Sequence, residues 1–274
     1  MIGQEKLRKI IEQQIEMEEF PRFSIIVGAE GSGKKTLTMA IAYALNCQRV
    51  PVEVKVDSIR EMIHNAYTVE TPTLYVILDG NMSNQAKNAL LKVCEETPKN
   101  AYIVMLTSDT NILPTLKSRA GVYYMQPYTP NELIEYSKKY QKVNTNIITD
   151  ICETPGDVDK LCKIGADEFY GFVQKVVDNI ADVSPANALK ISEQIDVKGN
   201  DSSKYDMVLF LRAFQSVCGN ELKKCVAEND IEGQMWYSAG IKTVSGVLAQ
   251  TKITGINKGA LFDIFILDCR RAWS

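Results

Sequence analysis

Gly28-Ala29-Glu30-Gly31-Ser32-Gly33-Lys34-Lys35 fits the pattern G-x-x-x-x-G-K, and its reading decides the fold. Glycines let successive backbone N–H groups turn inward on a phosphate. The N-terminus of a following helix adds partial positive charge, and the lysine adds a full one. The pattern carries that meaning only between a strand and a helix. Both are present: Phe23-Ser24-Ile25-Ile26-Val27 reads as a short buried strand, and Thr36 to Leu45 is a run of good helix formers with few charges. Strand, glycine loop and helix open a nucleotide-binding α/β domain. Gly28, Gly31, Ser32, Gly33 and Lys34 are the candidate phosphate ligands.

The last position of the motif departs from the rule. A Ser or Thr hydroxyl there ligates Mg²⁺, and this chain has Lys35. A second ammonium would repel the cation. Thr36 stands one residue late, about 100° around the helix. The expectation is ATP or ADP held weakly, with Mg²⁺ only alongside nucleotide.

Outward from the loop, Leu74-Tyr75-Val76-Ile77-Leu78 reads as a central parallel strand ending at Asp79, where a Walker B carboxylate would hold the metal. Gly80 follows, which cannot polarise a water. Ser83 caps a predicted helix to about Glu96, with Ala86, Leu90, Val93 and Cys94 on one face. Ala101 to Thr107 and Val122 to Tyr124 read as further strands, and the Thr107 hydroxyl at its strand end either caps the strand or faces a bound nucleotide. Before the loop, Leu7, Ile10, Ile11 and Ile15 form a helical apolar face that Phe20-Pro21 closes. Alternating strands and helices imply a parallel sheet covered on both faces.

Thr129-Pro130-Asn131-Glu132 combines an N-cap, a Pro at the first helical position and a Glu at the third. It predicts the start of a helical region, 129–197. Lys198 to Ser203 is polar and contains Gly199, the best linker candidate, and 204–274 reads as helices. The expected organisation is an α/β domain over 1–128, a helical lid over 129–197 and a C-terminal helical domain over 204–274. Leu209, Phe210, Leu211 and Phe214, with Leu261, Phe262, Ile264, Phe265, Ile266 and Leu267, are more apolar positions than a lone three-helix unit buries easily, so some are expected to face partners.

Composition bounds the function. The 274 residues carry 31 Lys plus Arg against 34 Asp plus Glu, a net charge of -3. Nucleic-acid binding driven by charge alone is excluded, and no stripe of interleaved basic and aromatic residues supports a DNA-binding adaptor. No apolar run approaches the ~18 residues of a membrane span, and Met1 to Lys6 has no apolar signal-peptide core, so a cytoplasmic protein is expected. The seven cysteines are irregularly spaced, without CxxC, and His64 is the one histidine. That predicts reduced, mostly buried thiols and no zinc site. His64, Trp236, Trp273, Lys223-Lys224 and Arg270-Arg271 read as surface or packing residues.

Several segments together resemble a family. Ile2-Gly3-Gln4-Glu5, the glycine loop, Asn88-Ala89-Leu90-Leu91-Lys92 with Glu95-Glu96-Thr97-Pro98, and Leu116-Lys117-Ser118-Arg119 are similar to the AAA+ subunits of bacterial DNA polymerase III clamp loaders. The likeness is close to about residue 135 and weaker beyond, where Ile256-Asn257-Lys258-Gly259-Ala260-Leu261 resembles the family's last helix. Within the family it is most like the delta prime type, or a phage or mobile-element version of it.

The resemblance implies roles. A gamma-type motor subunit would carry Thr at position 35, Glu at 80, Cys at 120 and an Arg in a Gly-x-x-Arg segment of its lid. This chain has Lys35, Gly80, Ala120 and, in Gly156-Asp157-Val158-Asp159, an aspartate. The family's four-cysteine zinc module is missing, since Cys47 stands alone between Lys35 and Asp79. Ser118 and Arg119 are retained. Losing its own catalytic positions while keeping the residue that acts on a neighbour suits a stator. Arg119 is then an arginine finger supplied in trans. Implied partners are gamma/tau-type ATPases, delta, the sliding clamp and, through the complex, primed DNA. The alternative is a self-sufficient AAA+ ATPase that uses Thr36 and an unconventional base.

Overall fold

In the computed structural model the described residues are 2–78, 82–108, 112–141, 143–182, 184–199, 201, 204–253 and 255–273. They fall into two compact units, 1–132 with 154–156, and 133–153 with 157–274.

The first unit runs α1 (Glu5–Glu16), β1 (Phe23–Val27), α2 (Lys34–Ala44), β2 (Gln48–Val52), α3 (Val56–Thr68), β3 (Thr73–Leu78), α4 (Asn84–Glu95), β4 (Ala101–Thr107), α5 (Pro114–Lys117) and β5 (Gly121–Tyr124), and α6 (Pro130–Ser137) begins in it. The five strands pair in parallel in the order β2-β3-β4-β1-β5. Successive strand residues point to opposite faces, and both faces are buried. Phe23, Ile25, Tyr75, Ile77, Ile103 and Met105 meet the apolar sides of α3 and α4. Ile26, Leu74, Val76, Val104 and Leu106 meet α1 and α2. This is the α/β fold expected.

The caps form as the sequence implies. Ser83 accepts from the Ala86 N–H at 3.3 Å. Thr129 and Glu132 cap reciprocally: the Thr129 N–H donates to Glu132 Oε2 at 2.7 Å, and the Glu132 N–H donates to Thr129 Oγ1 at 3.3 Å. Two details differ from expectation. Helix α1 ends at Glu16 rather than at Phe20, and Ile10 is 49% exposed, so the buried stripe is carried by Leu7 and Ile11. Strand β2, not read from the sequence, contains Pro51 and is an edge strand, where a missing N–H is tolerated.

The second unit continues with α7 (Thr145–Ile151), α8 (Pro155–Ile164), α9 (Ala166–Asn179), α10 (Pro185–Ser192), β6 (Ile195–Asp196), β7 (Tyr205–Asp206), α11 (Met207–Glu228), α12 (Ile231–Gln250) and α13 (Lys258–Trp273). Most of the apolar positions named above for this segment are interior. Leu209, Phe210, Leu211, Phe214, Phe262, Phe265 and Ile266 are all fully buried inside the unit. Helices α7 and α9 pack on α11, and α10 packs on α13, so the helices before residue 197 cover what three alone could not. The Phe210–Phe262 and Phe214–Phe265 pairs meet edge to face at 5.3 and 5.1 Å, a favoured aromatic geometry. Ile264, also among those positions, is 56% exposed, and Val226, Ile231, Met235, Trp236 and Ile253 are further exposed apolar residues of the unit. The polar stretch after Asp196 is tied down, since that carboxylate accepts the N–H groups of Lys198, Gly199 and Asp201. Among the described residues no helix is long and apolar enough to cross a membrane.

Candidate phosphate loop and exposed arginine

The loop leaves the C-terminal end of β1, and β1 and β4 send their chains to opposite faces of the sheet. That is the topological switch point where open α/β sheets bind ligands. Thr107 ends β4 beside it, buried, with its carbonyl accepting the Gly28 N–H at 3.0 Å. The loop and Thr107 are thus brought together. Asp79 and Gly80 lie outside the described residues.

Packing as well as turning demands glycine here. A Cβ on Gly28 would stand 2.7 Å from the Met125 side chain. Gly31 has φ +75°, and its Cβ would meet Thr154 Oγ1 at 2.6 Å and Gly156 Cα at 2.9 Å. The Gly156 N–H donates to the Gly31 carbonyl at 3.0 Å. Tyr128 Oη donates to the Ser32 carbonyl at 2.6 Å. Gln4 clamps the exit of β5 by exchanging two hydrogen bonds with the Gln126 backbone, at 2.7 and 2.8 Å.

Lys34 curls back: its Nζ donates to the Gly28 and Ala29 carbonyls at 2.6 and 2.8 Å. Ser32 Oγ is buried with no hydrogen-bond partner. An orphaned hydroxyl, glycine N–H groups at a helix N-terminus and an ammonium that can swing off two carbonyls fit an anion. Lys35 and Thr36 are both exposed on the first turn of α2. A lysine in the cation's position does not fit a divalent metal.

Arg119 follows α5. Pro114 opens that turn and Leu116 pins it to the core. The guanidinium is partly exposed, with Nη1 donating to the Thr115 carbonyl at 2.8 Å and Nη2 pairing with Glu95 Oε1 at 2.7 Å. Ala120, beside it, packs partly buried against the core.

Known proteins match these features. A family model described as "DNA polymerase III, delta subunit" matches residues 51–129, the stretch that includes β3, α4 and Arg119. DNA polymerase III subunit gamma/tau of Mycoplasma genitalium is 25% identical over 167 residues, 49% of this chain and 28% of that protein. Subunit gamma of Buchnera aphidicola from Schizaphis graminum is 25% identical over 179 residues, 53% of this chain and 49% of that protein. In each case less than half of the relative is matched. Among solved structures, a gamma subunit-related protein of DNA polymerase III from Thermotoga maritima superposes with TM-score 0.52 at 16% identity, covering 98% of this chain and 99% of that one. The Thermotoga maritima RuvB Holliday junction branch migration motor gives 0.51 at 20% identity, over 82% and 76%. The chain is clamp-loader-like and AAA+ in its fold.

Asp159 stands where the resemblance leads one to expect a motor's arginine. Asp159 is the hub of a cluster inside the second unit. It accepts from Tyr136 Oη at 3.0 Å, Tyr140 Oη at 2.7 Å and Lys139 Nζ at 2.8 Å. Burial pushes this carboxyl up, but the bonds from Lys139, Tyr140 and Tyr136 outweigh it and hold it below the usual carboxylate range. The same contacts raise the Lys139 ammonium against the opposing effect of its burial. The residue ties α8 to α6 and to the turn that follows it. Sequence reasoning missed Tyr128 and Thr154, since a side chain that meets the loop from far along the chain leaves no local signal, and it named Glu95 in a motif without its pairing to Arg119. His64 is exposed on α3, as expected.

Proposed function

We propose that this chain is a delta prime-type stator subunit of a DNA polymerase III clamp loader. It hydrolyses little or no ATP itself and offers Arg119 to the nucleotide of the adjacent subunit. The observation that carries the reading is the partly exposed Arg119 guanidinium on a segment anchored by Leu116, in a chain whose own metal position holds Lys35. An arginine so placed reaches outward and stabilises charge on a transferring phosphoryl group.

The residues of the loop fit the phosphates of ATP or ADP. Gly31, Ser32, Gly33 and Lys34 would hold them, with Gly28 and Thr107 forming the floor; no step of hydrolysis runs through a metal on Lys35. The partners are gamma/tau-type ATPases and delta in a cytoplasmic hetero-oligomer that opens the sliding clamp and sets it on primed DNA. The segment from 204 onward serves as the collar that binds the other subunits.

The test is reconstitution with the motor ATPase encoded by the same genome. Arg119→Ala is expected to leave assembly intact by size analysis and to lower hydrolysis at the affected site on the order of 10³-fold. Total hydrolysis falls less than clamp loading does, since only one of several sites loses its finger. Lysine does not substitute, because it lacks the planar fork. Rates equal to wild type in an assembled complex would reduce Arg119 to a surface residue.

A further inference from the structure

Glu95 is the last residue of α4, and Glu96 follows it. Carbonyls at a helix C-terminus carry partial negative charge, so that end favours cations and disfavours acids. Two carboxylates there weaken the helix unless something compensates. For Glu95 the compensation is Arg119: Nη2 meets Oε1 at 2.7 Å. The pair is well exposed, 36% for the arginine and 51% for the glutamate. Exposed ion pairs contribute little to stability.

What the pair does supply is orientation. The guanidinium is gripped on two neighbouring nitrogens from two different elements. Nη1 is held by the Thr115 carbonyl of α5 at 2.8 Å, and Nη2 by the carboxylate at the end of α4. Both supports rest on rigid ground, since Leu116 of α5 and Val93 and Cys94 of α4 are buried in the same core. Burial pushes the Cys94 thiol well up, so no competing anion forms beside the arginine. A planar fork held at both terminal nitrogens keeps one plane and one direction.

We propose that Glu95 is a positioning residue for Arg119. It presets the guanidinium in the orientation from which it engages the phosphate chain of a nucleoside triphosphate bound by the neighbouring subunit. This inference rests on the reading of Arg119 given above. Preorientation acts on the step in which charge develops, so it raises the turnover of the neighbour's site and leaves assembly and nucleotide affinity unchanged.

The experiment uses the reconstituted complex and five forms of this chain: wild type, Glu95→Ala, Glu95→Gln, Arg119→Ala and the Glu95→Ala, Arg119→Ala double variant. Steady-state ATP hydrolysis is resolved into kcat and KM, with assembly checked by size. Glu95→Ala is expected to lower kcat by about 3- to 10-fold at unchanged KM, in the low range of couplings between residues in contact. Glu95→Gln keeps an oxygen that accepts from Nη2 and recovers at least half of the loss. In the Arg119→Ala background the second substitution has no further effect. If Glu95→Ala matches or exceeds the wild-type rate while Arg119→Ala is impaired, the positioning role is overturned and the finger stands. An equal loss in the Arg119→Ala background also overturns it, because Glu95 then acts elsewhere. An unimpaired Arg119→Ala complex removes the finger reading itself.

Discussion

Replacing Asp159 separates a structural role from a nucleotide-sensing one. Three donors converge on this carboxylate, two phenols and one ammonium, at 2.7 to 3.0 Å. Hydrogen bonds to a charged group contribute about 1.5–3 kcal/mol each when shielded, and exposed ion pairs about 0–1. The Asp159 side chain is 33% exposed and Lys139 is 45% exposed, so the sum must be discounted. About 2 kcal/mol for Asp159→Ala is the working figure, with roughly half of that for Asp159→Asn, whose remaining oxygen still accepts from one phenol. At ~2–4 °C per kcal/mol for a unit of this size, the alanine variant melts on the order of 4–8 °C lower. Asp159→Arg, which would restore a motor's lid residue, places a guanidinium beside Lys139 and is worse than alanine. The pH dependence has a definite sign. The folded carboxyl lies below its unfolded value, so its contribution is fully present above the unfolded pKa of about 4 and is lost as pH falls through the folded value. Denaturant titrations of wild type and Asp159→Asn between pH 7 and 3 test this. Equal midpoints at pH 7, or a gap that persists unchanged at pH 3, would refute the reasoning.

Gly156→Ala puts a Cβ 2.5 Å from Gly31 Cα, which is backbone and cannot step aside. A loss of about 1–3 kcal/mol in the first unit is expected by thermal melting, together with weaker binding of a fluorescent ATP analogue. The chain alone is expected to turn over ATP far below ~1 s⁻¹; faster hydrolysis that vanishes in Lys34→Ala would restore the self-sufficient ATPase alternative. Ile231 and Met235 are 72% and 69% exposed one helical turn apart. Changing both to Lys is expected to alter the stability of the free chain by less than ~0.5 kcal/mol while weakening co-assembly with the motor subunit, read by analytical ultracentrifugation.

Much of this was legible along the chain because its causes are local. The glycine loop, the buried strands of β1, β3 and β4, the Ser83 cap and the Thr129–Glu132 box each depend on residues a few positions apart, and the structure has them as read. So did the departures at Lys35 and Ala120, which are matters of residue type. Tertiary structure alone decided the rest, because it depends on what is brought close from far away. Strand β2 exists despite Pro51 because it lies at the sheet's edge. Which of the apolar positions of α11 and α13 are interior was also decided there: the phenylalanines are buried because α7, α9 and α10 pack over them, while Ile264 is exposed. Gly31 must be glycine partly because Gly156 lies against it, 125 residues on. Asp159 becomes a hub because α6 and the turn after it bring two phenols and an ammonium to it. Arg119 is legible as a motif, but the Glu95 that orients it comes from the end of another helix. Periodicity and residue type report a residue's own segment, and neither carries information about which distant segment will fold against it.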